Sequence, residues 1–219
     1  MHRSPVDRGE TRFALQQLRD QIGRKVYPVH RLDKPTSGVL LFALTPQGAK
    51  HCAAQFAEHR VVKLYRAIVR GYTQDSGTID HPFRDDRDSA IHQNRQELPI
   101  RPALTHYRTL GKVELPIAVD RYASARYSLV EINPVTGRRH QVRRHMKHIA
   151  HPIIGDAKHG KSIHNHFFAR YFGVQRLFLA CTEIRLMHPA SAQEIVLRAP
   201  LEDEFERVID RAGFLEKRV

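Results

Sequence analysis

The stretch His30-Arg31-Leu32-Asp33-Lys34-Pro35-Thr36-Ser37-Gly38-Val39-Leu40-Leu41-Phe42-Ala43-Leu44 decides how this chain is read. A charged turn runs straight into an apolar run. Pro35 fixes its own φ and pushes Lys34 out of the α region. Gly38 permits backbone shapes that other residues resist. Residues 39–44 have almost no polar interruption, which predicts a strand buried on both faces. Asp33 therefore sits between two basic residues in a rigid turn mounted on a core strand. It reads either as an ordinary turn-capping aspartate or as a carboxylate held still for chemistry, and the local pattern leaves both open.

Working outward, residues 45–60 read as a helix with Pro46 at its first position, where a missing N–H costs nothing. Ala49, Cys52, Ala53 and Phe56 would form its buried face. An earlier helix carries Leu15, Leu18 and Ile22, with Thr11 as its expected N-cap and Gly23 as its stop. Residues 61–72 alternate as a strand, with Tyr65, Ala67 and Val69 on one face and Leu64, Arg66, Ile68 and Arg70 on the other. Residues 73–103 lack a strong period and read as a long surface connection. Strands are expected over 104–109 and 126–132, then a turn at 133–137 and a basic helix over 138–149 anchored by Val142, Met146 and Ile149. A short helix within 162–175, strands over 176–187 and 194–198, and a last helix after Pro200 complete the chain. In that helix Leu201, Phe205, Val208 and Ile209 face inward and Gly213 is the stop. This order predicts one mixed α+β domain with a largely antiparallel sheet flanked by helices.

The chain has 219 residues, 41% of them hydrophobic, which suits a globular core. No apolar run approaches the roughly 20 residues of a membrane span. Lys+Arg number 36 against 23 Asp+Glu, a net charge of +13. Such a surface attracts polyanions, nucleic acid before anionic membrane. Cys52 and Cys181 are too few for a disulfide framework or a thiolate zinc site, and a cytoplasmic monomer is expected. Fifteen histidines invite a metal hypothesis. His145, His148 and His151 are spaced by three, but Pro152 closes that helix, and solvated or phosphate-facing histidines are the better reading.

Two further features carry chemistry. Thr136-Gly137 leads into Arg138, Arg139, Arg143, Arg144 and Lys147. A solvated basic face is the plain reading, but the choice of Arg over Lys favours phosphate contact. Tyr65 reads as core packing from its pattern, with a stacking platform for a base as the alternative.

These residues together resemble the RluA-type pseudouridine synthases. The resemblance lies in HRLDKPTSGVL at 30–40, KLYRAIVRG at 63–71, TGRRHQVRRH at 136–145 and HPIIGD at 151–156. The segments at 2–4, 10–14, 102–108 and 155–160 resemble the tRNA pseudouridine-65 synthase group within that family. The resemblance implies that a uridine of RNA, tRNA in the first place and ribosomal RNA as the alternative, becomes pseudouridine without cofactor or metal. Asp33 would be the catalytic carboxylate, and Arg143 would orient it and keep it ionised. Tyr65 would stack on the flipped uracil and help the final deprotonation. Arg31 would fill the gap left by the base. His30, Arg138, Arg139, His140, Arg144, Lys147 and Lys158 would contact RNA. A catalytically inactive RNA-binding module is the rival, and the presence of Asp33, Tyr65 and Arg143 together argues against it.

Two departures from the family pattern carry expectations of their own. Relatives begin with two further strands and a Lys-Pro-x-Gly motif. Residues 1–219 therefore read as an N-terminally shortened catalytic domain with part of its sheet uncovered. Leu179-Ala180-Cys181 stands where relatives tend to carry Leu-His-Ala, so Ala180 is expected to remove a polar group from a core strand.

Overall fold

A computed structural model describes residues 13–84 and 98–214. The fold is mixed α+β, as its sequence pattern predicts. The elements run α1 (Ala14–Ile22), β1 (Tyr27–Pro28), β2 (Ser37–Gly38), β3 (Phe42–Ala43), α2 (Pro46–Ala57), β4 (Val62–Arg70), β5 (Ser76–Asp80), β6 (Phe83–Arg84) and β7 (Ile100–Arg101). They continue with β8 (Leu104–Leu115), β9 (Ala125–Pro134), α3 (Gln141–His148), α4 (Ser162–Tyr171), β10 (Leu179–Met187), β11 (Glu194–Arg198) and α5 (Asp203–Ala212). The main sheet has the order β11-β10-β4-β9-β8-β5, all antiparallel, and the short β2 lies parallel to β10. No helix among the described residues is long and apolar enough to cross a membrane.

The alternation of β4 builds the two halves of the core. Ala67 and Val69 face a cluster with Val130, Ile132, Val142, Met146, Ile153 and Leu179, against which α3 packs. Ile68 faces the opposite cluster, where Phe168, Phe172, Phe178, Phe205, Val208 and Ile209 bring in α4 and α5. Buried Phe205, Val208 and Ile209 explain why α5 docks, since each large apolar side chain removed from water contributes about 1.5–3 kcal/mol. Its three acidic first-turn residues suit the helix dipole, and Gly213 stops it at φ 76°.

Residues 39–44 do not form one doubly buried strand. Of the run only Phe42–Ala43 is strand: it is β3, paired with β1, whereas β2 ends just before the run and pairs with β10. Val39 and Leu41 are only partly buried against the cluster of Cys52, Val61, Cys181, Ile184 and Leu186, and Leu44 is exposed. β2 ends at Gly38, whose φ is +99°. A Cβ there would lie 2.0 Å from the Cys181 carbonyl oxygen, so only glycine allows β2 to lie this close to β10.

Other expectations need correction as well. The connection at 73–103 contains β5, a paired strand at the edge of the main sheet. The buried face of α2 is Gly48, Cys52 and Gln55, while Ala53 is exposed. Gln55 reaches across to the Met187 backbone with two 2.8 Å hydrogen bonds, one through each amide atom. The start of α2 is as read: Pro46 is in its first turn and the Thr45 hydroxyl accepts from Gly48 N–H at 3.1 Å. The stripe on α1 buries no residue, and Thr11 lies outside the described residues. Ala180 is fully buried between Ser37 of β2 and Arg66 of β4, where it packs as a small core residue.

Candidate active site

The turn that carries Asp33 is tied down on several sides. Thr36 N–H donates to the Asp33 carbonyl at 2.9 Å, closing the turn around Pro35. His30 Nε2 accepts from Leu41 N–H at 3.0 Å, and its ring stacks on Phe56 of α2 at 5.0 Å. Burial and then the charge of Lys63 push His30 down to about 4, so it is the neutral acceptor this bond requires. His30 is thus committed to holding the turn, not turned outward as an RNA contact. At the other end, Arg176 donates to Ser37 Oγ at 2.7 Å and pairs with Glu202, the N-cap of α5, at 3.1 Å.

Arg143 meets this turn from α3. Its buried guanidinium uses its three nitrogens in two directions. Nε and Nη2 fork onto the Asp156 carboxylate at 2.7 and 2.8 Å, and Nη1 reaches Asp33 Oδ2 at 3.2 Å. Burial works against the Arg143 charge, but Asp156 and then Asp33 outweigh it and hold its pKa above the ordinary arginine value. Burial alone would raise Asp156. Arg143 and the backbone N–H groups of His159 and Lys158 reverse this and hold it below the usual carboxylate range. Asp33 keeps 20% of its side chain exposed while that of Asp156 has none, so only Asp33 can meet a substrate.

Asp156 belongs to the HPIIGD segment, yet its part in the site was not foreseen. The preceding Gly155 has φ +78°, and a Cβ there would meet the Arg176 carbonyl oxygen at 1.6 Å. Asn165 of α4 accepts from Gly155 N–H at 2.7 Å and donates to the Asp156 carbonyl at 3.1 Å. Asn165 thus fixes the backbone around Asp156, and its carboxylate is held by Arg143 and by the Lys158 and His159 N–H groups.

The orientation of α3 rests on Gln141. Its amide oxygen accepts from Thr136 Oγ1 and Arg138 N–H at 2.7 and 2.9 Å. Its amide nitrogen donates to the Leu104 carbonyl and Thr105 Oγ1, both at 3.0 Å. Every hydrogen-bonding group of this buried side chain is used, which fixes the helix start against β8 and β9. His145 is also fully buried, bonded to Thr105 Oγ1 at 2.8 Å and to the His81 carbonyl at 3.0 Å. It is neither solvated nor phosphate-facing. His148 stacks on His81, and His151 Nδ1–H donates to the Arg70 carbonyl at 2.8 Å.

Tyr65 lies on β4 opposite Cys181 of β10. Burial holds its phenol proton well above the ordinary tyrosine value, and Cys181 and the negative charge of Asp33 act in the same sense. His140 Nε2 lies 4.0 Å from Asp33 Oδ1, so Asp33, Arg143 and His140 converge. The remaining cations divide. Arg138 Nε donates to the Pro102 carbonyl at 3.0 Å, and Arg144 lies 3.9 Å over the Phe83 ring, so both brace the fold. Arg31, Arg139, Lys147 and Lys158 are exposed, and the charges of Arg139 and Lys158 are felt at His140, beside Asp33.

The arrangement is one partly exposed carboxylate between a locked guanidinium and an imidazole, with an aromatic ring close enough to feel its charge. The chain is similar to known proteins over most of its length. The profile of the RNA pseudouridylate synthase family matches residues 1–148. A protein of Vibrio cholerae serotype O1 named tRNA pseudouridine synthase C is 46% identical over 217 residues, covering 99% of this chain and 89% of its own. A protein of the same name from Vibrio parahaemolyticus serotype O3:K6 is 43% identical over 220 residues, covering 100% and 89%. The solved structure of human RNA Pseudouridylate Synthase Domain Containing 1 superposes with a TM-score of 0.64 at 29% identity, covering 84% of this chain and 72% of that one. From its sheet to its paired motifs, this chain is a member of the RNA pseudouridylate synthase family.

Proposed function

We propose that this chain converts a uridine of tRNA to pseudouridine, with Asp33 as the catalytic carboxylate. The observation that carries the reading is the division of Arg143. Two of its nitrogens are locked on buried Asp156, and the third is aimed at a carboxylate that is still open to solvent. A guanidinium fixed in this way holds Asp33 in one orientation before RNA arrives, so little reorganisation is needed at the reaction step. The names of the relatives support tRNA as the substrate class.

The reaction is an isomerisation. The nitrogen–carbon bond between uracil and ribose breaks, the base turns, and a carbon–carbon bond forms in its place. No atom is gained or lost, so no co-substrate is consumed. A base inside a helical stack is out of reach, so the nucleotide is extruded first. Arg31, exposed beside Asp33 in sequence, fills the space it leaves, and Tyr65 stacks on the uracil. With its proton held so tightly, the Tyr65 phenol serves as a stacking face more readily than as a base. Arg139, Lys147 and Lys158 meet the phosphates. His30, Arg138 and Arg144 act through the fold. Residues 1–219 work as one catalytic domain, a reading supported by β2 from the first fifth of the chain pairing with β10 near its end. The protein works as a monomer in the cytoplasm, where tRNA is found.

The test is to incubate the purified protein with unmodified tRNA and map pseudouridine at single-nucleotide resolution. Formation at one uridine supports the reading. A product found only in ribosomal RNA would reassign the substrate, and none in either RNA would sink the enzymatic reading.

A further inference from the structure

Beyond the aspartate and its arginine, the structure assigns a second support to Asp33: a two-histidine relay in which His159 orients His140 and His140 holds the free oxygen of Asp33. The inference rests on the reading of Asp33 as the catalytic carboxylate. Four observations carry it. His140 Nδ1 lies 3.0 Å from His159 Nε2, with the rings at 80° to one another. His140 Nε2 points at Asp33 Oδ1 from 4.0 Å, while Arg143 occupies Oδ2. His140 is in the left-handed region at φ 54°, a backbone shape uncommon outside glycine, and its imidazole stands beside Asp33. His159 is itself anchored, since its backbone N–H donates to Asp156 Oδ1 at 2.9 Å.

The shared hydrogen bond can run in two directions. If His140 donated, its bare Nε2 lone pair would face the carboxylate oxygen, two acceptors opposed. If His159 donates from Nε2, His140 accepts at Nδ1 and presents Nε2–H to Asp33. Only the second direction is attractive. Burial works first to keep both rings neutral, and that neutrality lets the bond select one tautomer. A separation of 4.0 Å is too long for a hydrogen bond. Contacts of this kind commonly tighten when the substrate closes the site. With both in place, each oxygen of Asp33 has one donor and the carboxylate has a single orientation. His140 and His159 are positioning residues in this scheme, and no proton changes owner.

The experiment measures single-turnover pseudouridine formation and RNA affinity separately, with the full-length protein. His159→Phe keeps the ring packing and removes the donor. It is expected to slow the reaction by about ten-fold with affinity changed less than about two-fold. His159→Gln, whose amide nitrogen stands in for Nε2, is expected to recover most of that loss. His140→Asn suits the left-handed backbone but is too short to reach Asp33. Adding His159→Phe to it should cost nothing further, because His159 acts only through His140. Full activity of His159→Phe, or an equal loss from it when His140 is already Asn, would overturn the relay. Asp33→Asn is run in parallel: if it turns over normally, the catalytic reading falls and the relay with it, whereas an inactive Asp33→Asn beside a fully active His159→Phe removes the relay alone.

Discussion

Replacing the two carboxylates that share Arg143 should separate stability from catalysis. Asp156→Ala leaves a buried guanidinium without the partner that takes two of its nitrogens, and it strips two backbone N–H groups of their acceptor. Breaking a buried ion pair at one end costs about 3–5 kcal/mol, because the remaining charge stays in a poor dielectric. A domain with roughly 5–15 kcal/mol of stability still folds after such a loss. For a chain of this size a urea slope of about 2–3 kcal/mol per molar converts it to a midpoint about 1–2.5 M lower. Asp33→Ala removes the partner of a single nitrogen, at 3.2 Å and at a site with 20% exposure. A pair of that kind contributes about 1 kcal/mol or less, so the midpoint should fall by under about 0.5 M. Activity runs the other way. Asp33→Ala should be inactive while almost as stable as the parent, and Asp156→Ala should keep reduced but measurable turnover. Urea denaturation followed by far-UV circular dichroism, beside single-turnover assays, reads both. Equal destabilisation by the two variants would refute the division of labour argued for Arg143.

Three further outcomes follow from the same geometry. Gly38→Ala puts a Cβ against the Cys181 carbonyl and forces a +99° φ on alanine. It should detach β2 from β10 and lower both the thermal midpoint and the turnover, and a variant as stable and active as the parent would contradict the close approach. Neutral histidines set an acid limit: burial comes first in lowering His30, His159 and His164 to about 4, below an unfolded value near 6.5. The unfolded chain therefore binds more protons between those values. Stability is full above about 6.5 and falls with pH by roughly 1.4 kcal/mol per unit for each histidine, checked by denaturation between pH 7 and 4. RNA affinity should weaken steeply with salt, and Arg139→Ala, Lys147→Ala or Lys158→Ala should each flatten the slope by about one counterion. An unchanged slope in all three would move the RNA elsewhere on the surface.

Where the sequence pattern is local, it predicts the structure well. The alternation of β4, the Thr45-Pro46 entry to α2 and the apolar face of α5 each follow from neighbours a few residues apart. What depends on distant partners was hidden. Residues 39–44 read as a buried strand because apolar continuity cannot show that Gly38 presses against Cys181 and turns the chain toward two different partners. Ser76–Asp80 has one buried apolar residue, Ile79, because it is an edge strand with little to bury. Asp156 has no local signal of its role, since that role depends on an arginine of a separate helix. Nothing in the local pattern marks Gln141, whose amide reaches Thr136, Leu104 and Thr105 together. Asp33, Tyr65 and Arg143 were gathered by family resemblance, not by spacing, and the fold brings Asp33 and Arg143 to 3.2 Å across 110 positions of chain.

The most direct test of the account compares the parent protein with Asp33→Asn on the same unmodified tRNA, by single-turnover conversion and by RNA affinity. Asparagine keeps the shape of the turn and removes only the charge that Arg143 holds in place. The account predicts no detectable pseudouridine with affinity retained to within about two-fold. Pseudouridine formed by Asp33→Asn at the parent rate would contradict it.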